Sequence, residues 1–139
     1  MLNSFKKHTI SPITLLPPLH LPLQAFDPNR GQYIAEEILA EAKGQVPHSR
    51  SNTPVSPIVF TDQDMYIQKY SWQYAFSLRE NDMAVVSSAR MDFSLNPFTE
   101  ADQETQETRL RKMVTKNIGI LYYHLLFSDH CRSAMYGRV

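Results

Sequence analysis

Residues 70–91 constrain the fold more than any other stretch. From Tyr70 to Leu78 the sequence alternates: Tyr70, Trp72, Tyr74, Phe76 and Leu78 fall on one face, and Ser71, Gln73, Ala75 and Ser77 on the other. A period of two marks a half-buried strand, because successive side chains of an extended chain point to opposite sides. Glu80-Asn81-Asp82 supplies turn chemistry, and Met83 to Met91 is a second run rich in β-branched and small residues. Together they predict an antiparallel hairpin.

The remaining elements are read from the same kind of pattern. Ile10 to Leu16 reads as a short strand, followed by an extended connection through Pro17, Pro18 and Pro22. Asp27-Pro28-Asn29-Arg30-Gly31 is turn chemistry. A helix is predicted over Gln32–Lys43, with Ile34, Ile38, Leu39 and Ala42 on one stripe and Gly44 as its cap. Gln45–Ser56 reads as a loop, Pro57–Phe60 as a buried strand, Thr61–Asp64 as a turn and Phe93–Gln103 as a loop. A second helix runs from Glu104 to about Leu126, with Leu110, Met113, Val114, Asn117, Ile120, Leu121 and His124 at spacings of three and four. The implied fold is α/β, with α+β as the alternative: a mixed, mainly parallel twisted sheet, an antiparallel hairpin and two main helices. At 139 residues the chain is read as a single domain over 1–139.

Charge and composition exclude several functions. Lys plus Arg equals Asp plus Glu at 14 each, which argues against nucleic acid as a partner. No apolar run approaches the ~18–20 residues of a membrane span, and prolines break the one signal-like stretch. The single cysteine, Cys131, can make neither an internal disulfide nor a four-cysteine zinc site, so a reduced, cytoplasmic setting is expected. The four glycines are not clustered, and neither phosphate-cradling loops nor a nucleophile elbow occurs. Nothing in the pattern sets an oligomeric state.

The residues left as candidates are few. His124, His130 and Cys131 lie close in sequence, but the i, i+6 spacing of the histidines is not the i, i+4 spacing that puts two imidazoles on one helix face. A helix-end role for them outweighs metal binding. Asp62 and Asp64 read as turn residues rather than a catalytic pair. Arg30 and Arg90 are the notable charges. Arg90 ends an apolar strand, so it either reaches solvent or pairs with a carboxylate, Asp27 or Asp64.

Several of these segments together resemble one family, the archaemetzincins, zinc metallopeptidases of the metzincin clan. Pro17 to Pro22 and then Phe26-Asp27-Pro28-Asn29-Arg30-Gly31-Gln32-Tyr33 are similar to the family's proline-rich strand end and its (Y/F)-(D/N)-P-x-R-x-Q-Y segment. Thr61-Asp62-Gln63-Asp64-Met65-Tyr66 resembles T-D-x-D-L-Y, and Val85-Val86-Ser87-Ser88-Ala89-Arg90 resembles V-V-S-x-A-R. Trp72-Gln73-Tyr74-Ala75-Phe76 sits where the family has its N-F-V-F-G edge strand. On that resemblance Arg30, Gln32, Tyr33, Asp64, Trp72, Tyr74, Phe76 and Arg90 are structural or binding candidates. Order and spacing agree over about residues 10–126.

The resemblance implies a zinc helix reading H-E-x-x-H-x-x-G-x-x-H-C, with three histidine ligands and a glutamate base. Two registers fit. The gap-free one sets Thr115-Lys116-Asn117-Ile118-Gly119-Ile120 against T-H-E-I-G-H and is preferred, since it keeps Thr115, Ile118 and Gly119. It puts Lys116 at the first ligand, Asn117 at the base, Ile120 at the second ligand, Tyr123 at the helix-ending glycine and Leu126 at the third ligand. The other register sets His124 at the second ligand and His130-Cys131 at the third ligand and its neighbour, with Ile120 and Leu121 at the first ligand and the base. Both lose the glutamate, and neither has three histidines. Met135 falls within one or two residues of the family's Met-turn.

The expectation is therefore a degenerate archaemetzincin-like homologue without proteolytic activity. No catalytic residue and no bound cofactor are expected, although the family uses zinc. If the chain acts, it binds an extended peptide or protein segment at the Tyr70–Leu78 edge strand. The alternatives are an altered zinc peptidase using His124, His130 and Cys131, and a non-catalytic structural or interaction subunit. The family pattern also implies that a first strand and helix, and a cysteine-bound zinc subdomain after the catalytic helix, are missing.

Overall fold

The structure is a computed structural model, and it describes residues 13–46, 55–91, 103–130, 132, 133 and 135. In chain order its strands are β1 (Phe26–Asp27), β2 (Gln32–Ile34), β3 (Ile58–Thr61), β4 (Met65–Tyr66), β5 (Ser77–Glu80) and β6 (Met83–Ser87). Its helices are α1 (Ala35–Gln45), between β2 and β3, and α2 (Gln103–Leu121), after β6. A single 3-10 turn, Leu23–Ala25, precedes β1.

All five residues of β6 are buried, and they read M-A-V-V-S without alternation. A strand covered on both faces has that apolar signature. Met83 and Val85 join the larger core cluster with Ile38, Leu39 and Ala42 of α1, and with Met65, Ile67 and Leu78. Val86 turns the other way and packs with Met91, and with Met113 of α2. The two helices thus cover opposite faces of β6.

The strands form two three-stranded sheets, in the orders β1-β2-β4 and β3-β6-β5. Each holds one antiparallel pair and one parallel pair. The mixed α/β class with a hairpin and two helices is as expected, but two small mixed sheets replace the single mainly parallel one. The hairpin β5–β6 pairs Glu80 with Met83, and Asn81 takes φ 54 in its turn. Asparagine tolerates that left-handed conformation better than most residues.

Several boundaries differ from the sequence reading: β6 ends at Ser87 rather than Met91, and the following four each have a physical reason. Ile13–Leu16 is not a strand: Ile13 and Leu15 are 88% and 96% exposed, and β3 finds its parallel partner in β6 instead. Ile10 to Pro12, and the loop before Gln103, lie outside the described residues. Gln32–Ile34 leaves the predicted helix to become β2, because the chain there is paired on both sides, to β1 and to β4. Gly44 lies inside α1 rather than capping it; Val46 N donates to Ala42 O at 2.9 Å and closes the helix. The second helix stops at Leu121, and His124 takes φ 54 as Leu125 N donates back to Gly119 O at 2.9 Å.

The largest difference concerns the alternating segment. Only Ser77–Glu80 is strand; residues 70–76 follow an irregular path. Ala75, on the expected polar face, is buried, while Trp72 is 56% exposed. The Trp72 and Gln73 carbonyls accept from Arg30 and Gln32 side chains and the Ala75 N–H donates to Met65 O, so they are not free to form a ladder.

Candidate functional site

Two polar corners flank the hairpin. The first is built on the turn between β1 and β2. Asn29 N donates to Asp27 Oδ1 at 3.0 Å, Gly31 N donates to Asp27 O at 2.8 Å, and Gly31 sits at φ 65, where a side chain would be strained. The turn aims Arg30 inward. Its Nη2 donates to Trp72 O (3.2 Å) and Gln73 O (2.8 Å), its Nε donates to Gln32 Oε1 (2.9 Å), and its Cζ lies 3.7 Å from the centre of the Tyr66 ring. Gln32, buried, donates from Nε2 to both Asp64 Oδ2 (3.0 Å) and Gln73 O (2.9 Å).

Asp64 joins this turn to the end of β6. Arg90 grips it with Nε at 2.9 Å and Nη2 at 2.7 Å, a two-pronged geometry that fits guanidinium to carboxylate, and the Arg90 Cζ lies 4.5 Å from the Tyr74 ring centre. Of the two carboxylates considered for Arg90, Asp64 is the partner. Asp27 instead accepts from the Tyr66 hydroxyl at 2.9 Å. Burial raises the pKa of Asp64, but hydrogen bonds from Arg90 and Gln32 and the Arg90 charge outweigh it, leaving the carboxyl below its ordinary 3.8. Burial, helped by the Asp27 bond, pushes Tyr66 up, so its hydroxyl remains a donor.

Arg30, Gln32, Asp64 and Arg90 are thus brought together, and with Tyr66 and Asp27 they fasten residues 72–74 to the sheet. Tyr33 packs its ring 5.2 Å from that of Phe26 and belongs to the core rim. Trp72, Tyr74 and Phe76 do not share a strand face: Trp72 stacks on Tyr70 at 4.6 Å, whereas Phe76 meets Tyr74 edge-on at 5.4 Å and packs toward Val86.

The second corner lies between β5 and α2. Asn117 is fully buried. Its Oδ1 accepts from Arg79 Nη1 (3.1 Å) and Ser77 Oγ (3.3 Å), and its Nδ2 donates to Met113 O (3.0 Å) and Ser77 Oγ (3.1 Å). Lys116, 5% exposed, has its Nζ 5.2 Å from the centre of the Phe127 ring. Burial, with the Arg79 and Lys112 charges, lowers its pKa. Ile120 is part-buried on the same helix. Among the described residues, every buried side-chain nitrogen or oxygen has a partner.

This donor set does not fit a zinc ion. An ammonium repels it, an isoleucine has no lone pair, and the Asn117 amide is committed to three protein partners. His124 occupies the left-handed position after the helix, one residue beyond Tyr123, and His130 Nδ1 accepts from Arg132 N at 3.3 Å. Cys131 lies outside the described residues. Among the described residues no three His, Cys, Asp or Glu side chains gather as a metal site, and no helix is long and apolar enough to cross a membrane.

Gly119 adds a feature the sequence only hinted at. A Cβ there would stand 2.6 Å from Met135 Sδ, so the glycine lets the chain beyond the helix fold back against it. Met135 O accepts from Ser128 N at 2.8 Å, which holds that return. Ser77 and Arg79 were missed as site residues. Their signal was available: two polar residues at i, i+2 on a strand, and an asparagine on the apolar stripe of a helix.

A scan of protein-family models and a search of curated proteins both find no match. Solved structures do match. The archaemetzincin of Methanopyrus kandleri superposes with a TM-score of 0.61 at 26% identity, over 85% of this chain and 58% of that one. A zinc-dependent peptidase of Methanocorpusculum labreanum gives 0.64 at 25% identity, over 84% of this chain and 68% of that one. The archaemetzincin of Archaeoglobus fulgidus, complexed with malonate, gives 0.67 at 23% identity, over 97% of this chain and 74% of that one. The chain thus spans little more than half the length of the Methanopyrus protein. The three neighbours agree, and the chain has an archaemetzincin-like fold.

Proposed function

We propose that this chain is a zinc-peptidase homologue that has exchanged catalysis for binding. The observation that carries the reading is Asn117. In the gap-free register it stands at the base position, and there it is buried and hydrogen-bonded to Ser77, Arg79 and the Met113 carbonyl. A general base needs a lone pair of suitable basicity aimed at water; an amide locked into the protein has neither. Lys116 and Ile120, at the first and second ligand positions, do not restore metal chemistry.

What the fold retains is a sheet edge. In the order β3-β6-β5, β5 pairs with β6 on one side and with no strand among the described residues on the other. An extended peptide or protein segment would add there by main-chain hydrogen bonds. The binding strand is Ser77–Glu80 rather than Tyr70–Leu78, with residues 70–76 as a rigid shoulder beside it. The setting proposed is the reducing cytoplasm.

Two measurements test this. Elemental analysis of protein purified without added metal is expected to show no stoichiometric zinc; one zinc per chain overturns the loss of the metal site. A neutral extended peptide that binds is expected to lose at least about tenfold in affinity when its backbone amides are N-methylated, since the ladder bonds then go. Equal affinity for both forms rejects strand addition.

A further inference from the structure

Residues 13–16 and the outer edge of β3 are two apolar stretches, and neither has a strand partner among the described residues on the side considered. Residues 13–20 are all exposed, Ile13 by 88% and Leu15 by 96%, and they join no sheet. The run Ile13-Thr14-Leu15-Leu16 carries no charge, and its β-branched residues suit an extended strand. Pro17, Pro18 and Pro22 follow it. Each fixes its own φ and extends the residue before it, so this apolar arm sits on a stiff stem.

The β3 edge complements the arm. Pro57 O and Thr61 O accept from Ala84 N (3.1 Å) and Ser88 N (2.9 Å). Alternate residues of a strand bond to the same neighbour, so Ile58 and Phe60 turn their main-chain N–H and C=O to the other side. β3 ends the order β3-β6-β5, and no strand lies beyond it among the described residues. Phe60 is 56% exposed, and Val55, just before the strand, 48%. Residues 13–16 and 55–61 hold no charged side chain, whereas β5, the other edge, carries Arg79 and Glu80. An apolar arm matches β3 better. Its own chain makes no ladder between arm and edge, and the zero formal net charge means that two copies do not repel at a distance. We propose that the arm of a second copy adds to β3 as a strand, and that two copies exchange arms reciprocally. One four-residue ladder is a small contact; two of them fit a weak, concentration-dependent dimer. The contact lies at the edge opposite β5 and does not depend on peptide addition there.

Sedimentation equilibrium of the intact chain between roughly 5 and 500 μM tests the exchange, with a monomer–dimer Kd on the order of 50 μM expected. Leu15→Asp and Phe60→Lys, both at exposed positions, should each weaken it at least about tenfold. Mixed together, the two variants should associate more tightly than either alone, because one arm and one edge remain intact and the two new charges meet at the second contact. Leu126→Lys, at a leucine 88% exposed outside the arm, should leave the Kd unchanged. A monomer throughout, an open-ended series beyond the dimer, an equal loss in Leu126→Lys or no gain on mixing overturns the proposal. Should Phe60→Lys fail to fold, amide exchange at Ile58 and Phe60 decides. It should slow with rising concentration in the parent and not in Leu15→Asp; equal rates at all concentrations reject the exchange.

Discussion

The corner around Asp64 and the corner around Asn117 differ in how each treats its arginine. At the first, Arg30 and Arg90 find main-chain carbonyls, a carboxylate and two aromatic rings, so the cations are satisfied within the chain. At the second, Arg79 meets a neutral amide and shares a ring with Lys116. The first is a fastening of loop to sheet; the second gathers polar and cationic side chains of β5 and α2 about Asn117 and one ring. Arg30 and Arg90, structural or binding candidates in the sequence, serve the architecture. The least conspicuous, Ser77 and Arg79, hold the buried Asn117 between β5 and α2.

The comparison can be broken most forcefully at Asn117. Asn117→Ala empties a fully buried site and strips partners from Arg79, Ser77 and the Met113 carbonyl. A loss of about 3 kcal/mol is expected in denaturant unfolding. A loss under about 1 kcal/mol would mean that the second corner is not a structural node.

Arg30→Ala should cost about 2 kcal/mol, because two carbonyls and a buried glutamine lose their donor or partner. Amide hydrogen exchange should rise across residues 72–76 and stay unchanged in β6. A uniform rise over both would show that the two corners are not separable.

Asp64→Asn is expected to cost about 1 kcal/mol at neutral pH, since the carboxylate is partly exposed and the pair is correspondingly screened. The sign with pH follows from the lowered pKa of Asp64. Its contribution is present above its ordinary value of 3.8 and is lost as pH falls through the still lower folded value. Parent and variant stabilities should therefore converge once pH falls below the lowered folded value of the carboxyl. Curves that stay parallel would remove Asp64 as the group responsible.

The smallest effect concerns the chain returning under α2. Gly119→Ala gains helix propensity but drives a methyl into Met135 Sδ, for a net loss of about 1 kcal/mol. Adding Met135→Ala should reverse the sign, leaving the double variant more stable than Met135→Ala alone. Additive losses would show that Met135 does not rest on the glycine.

Much of the fold was legible in the sequence. The turn at Asp27–Gly31, the apolar stripe of α1, the hairpin turn and the continuous apolar run of β6 each carry local chemistry that dictates local conformation. The extent of strand over residues 70–78 was not legible. Alternation there is genuine as a pattern, but Arg30 and Gln32, about 40 residues away, take the Trp72 and Gln73 carbonyls, and Met65 O takes the Ala75 N–H. Local period cannot report hydrogen bonds that a distant turn will claim.

By itself, then, the sequence determined the two main helices, the hairpin and the residue chemistry offered along the second helix, because these depend on composition and short-range period. Tertiary structure alone decided where the strands stop, which carboxylate Arg90 takes, and that Asn117 is locked between β5 and α2 beside two cations. Those outcomes depend on which distant groups compete for the same donors and acceptors, and that competition is settled only when the helices close on both faces of β6.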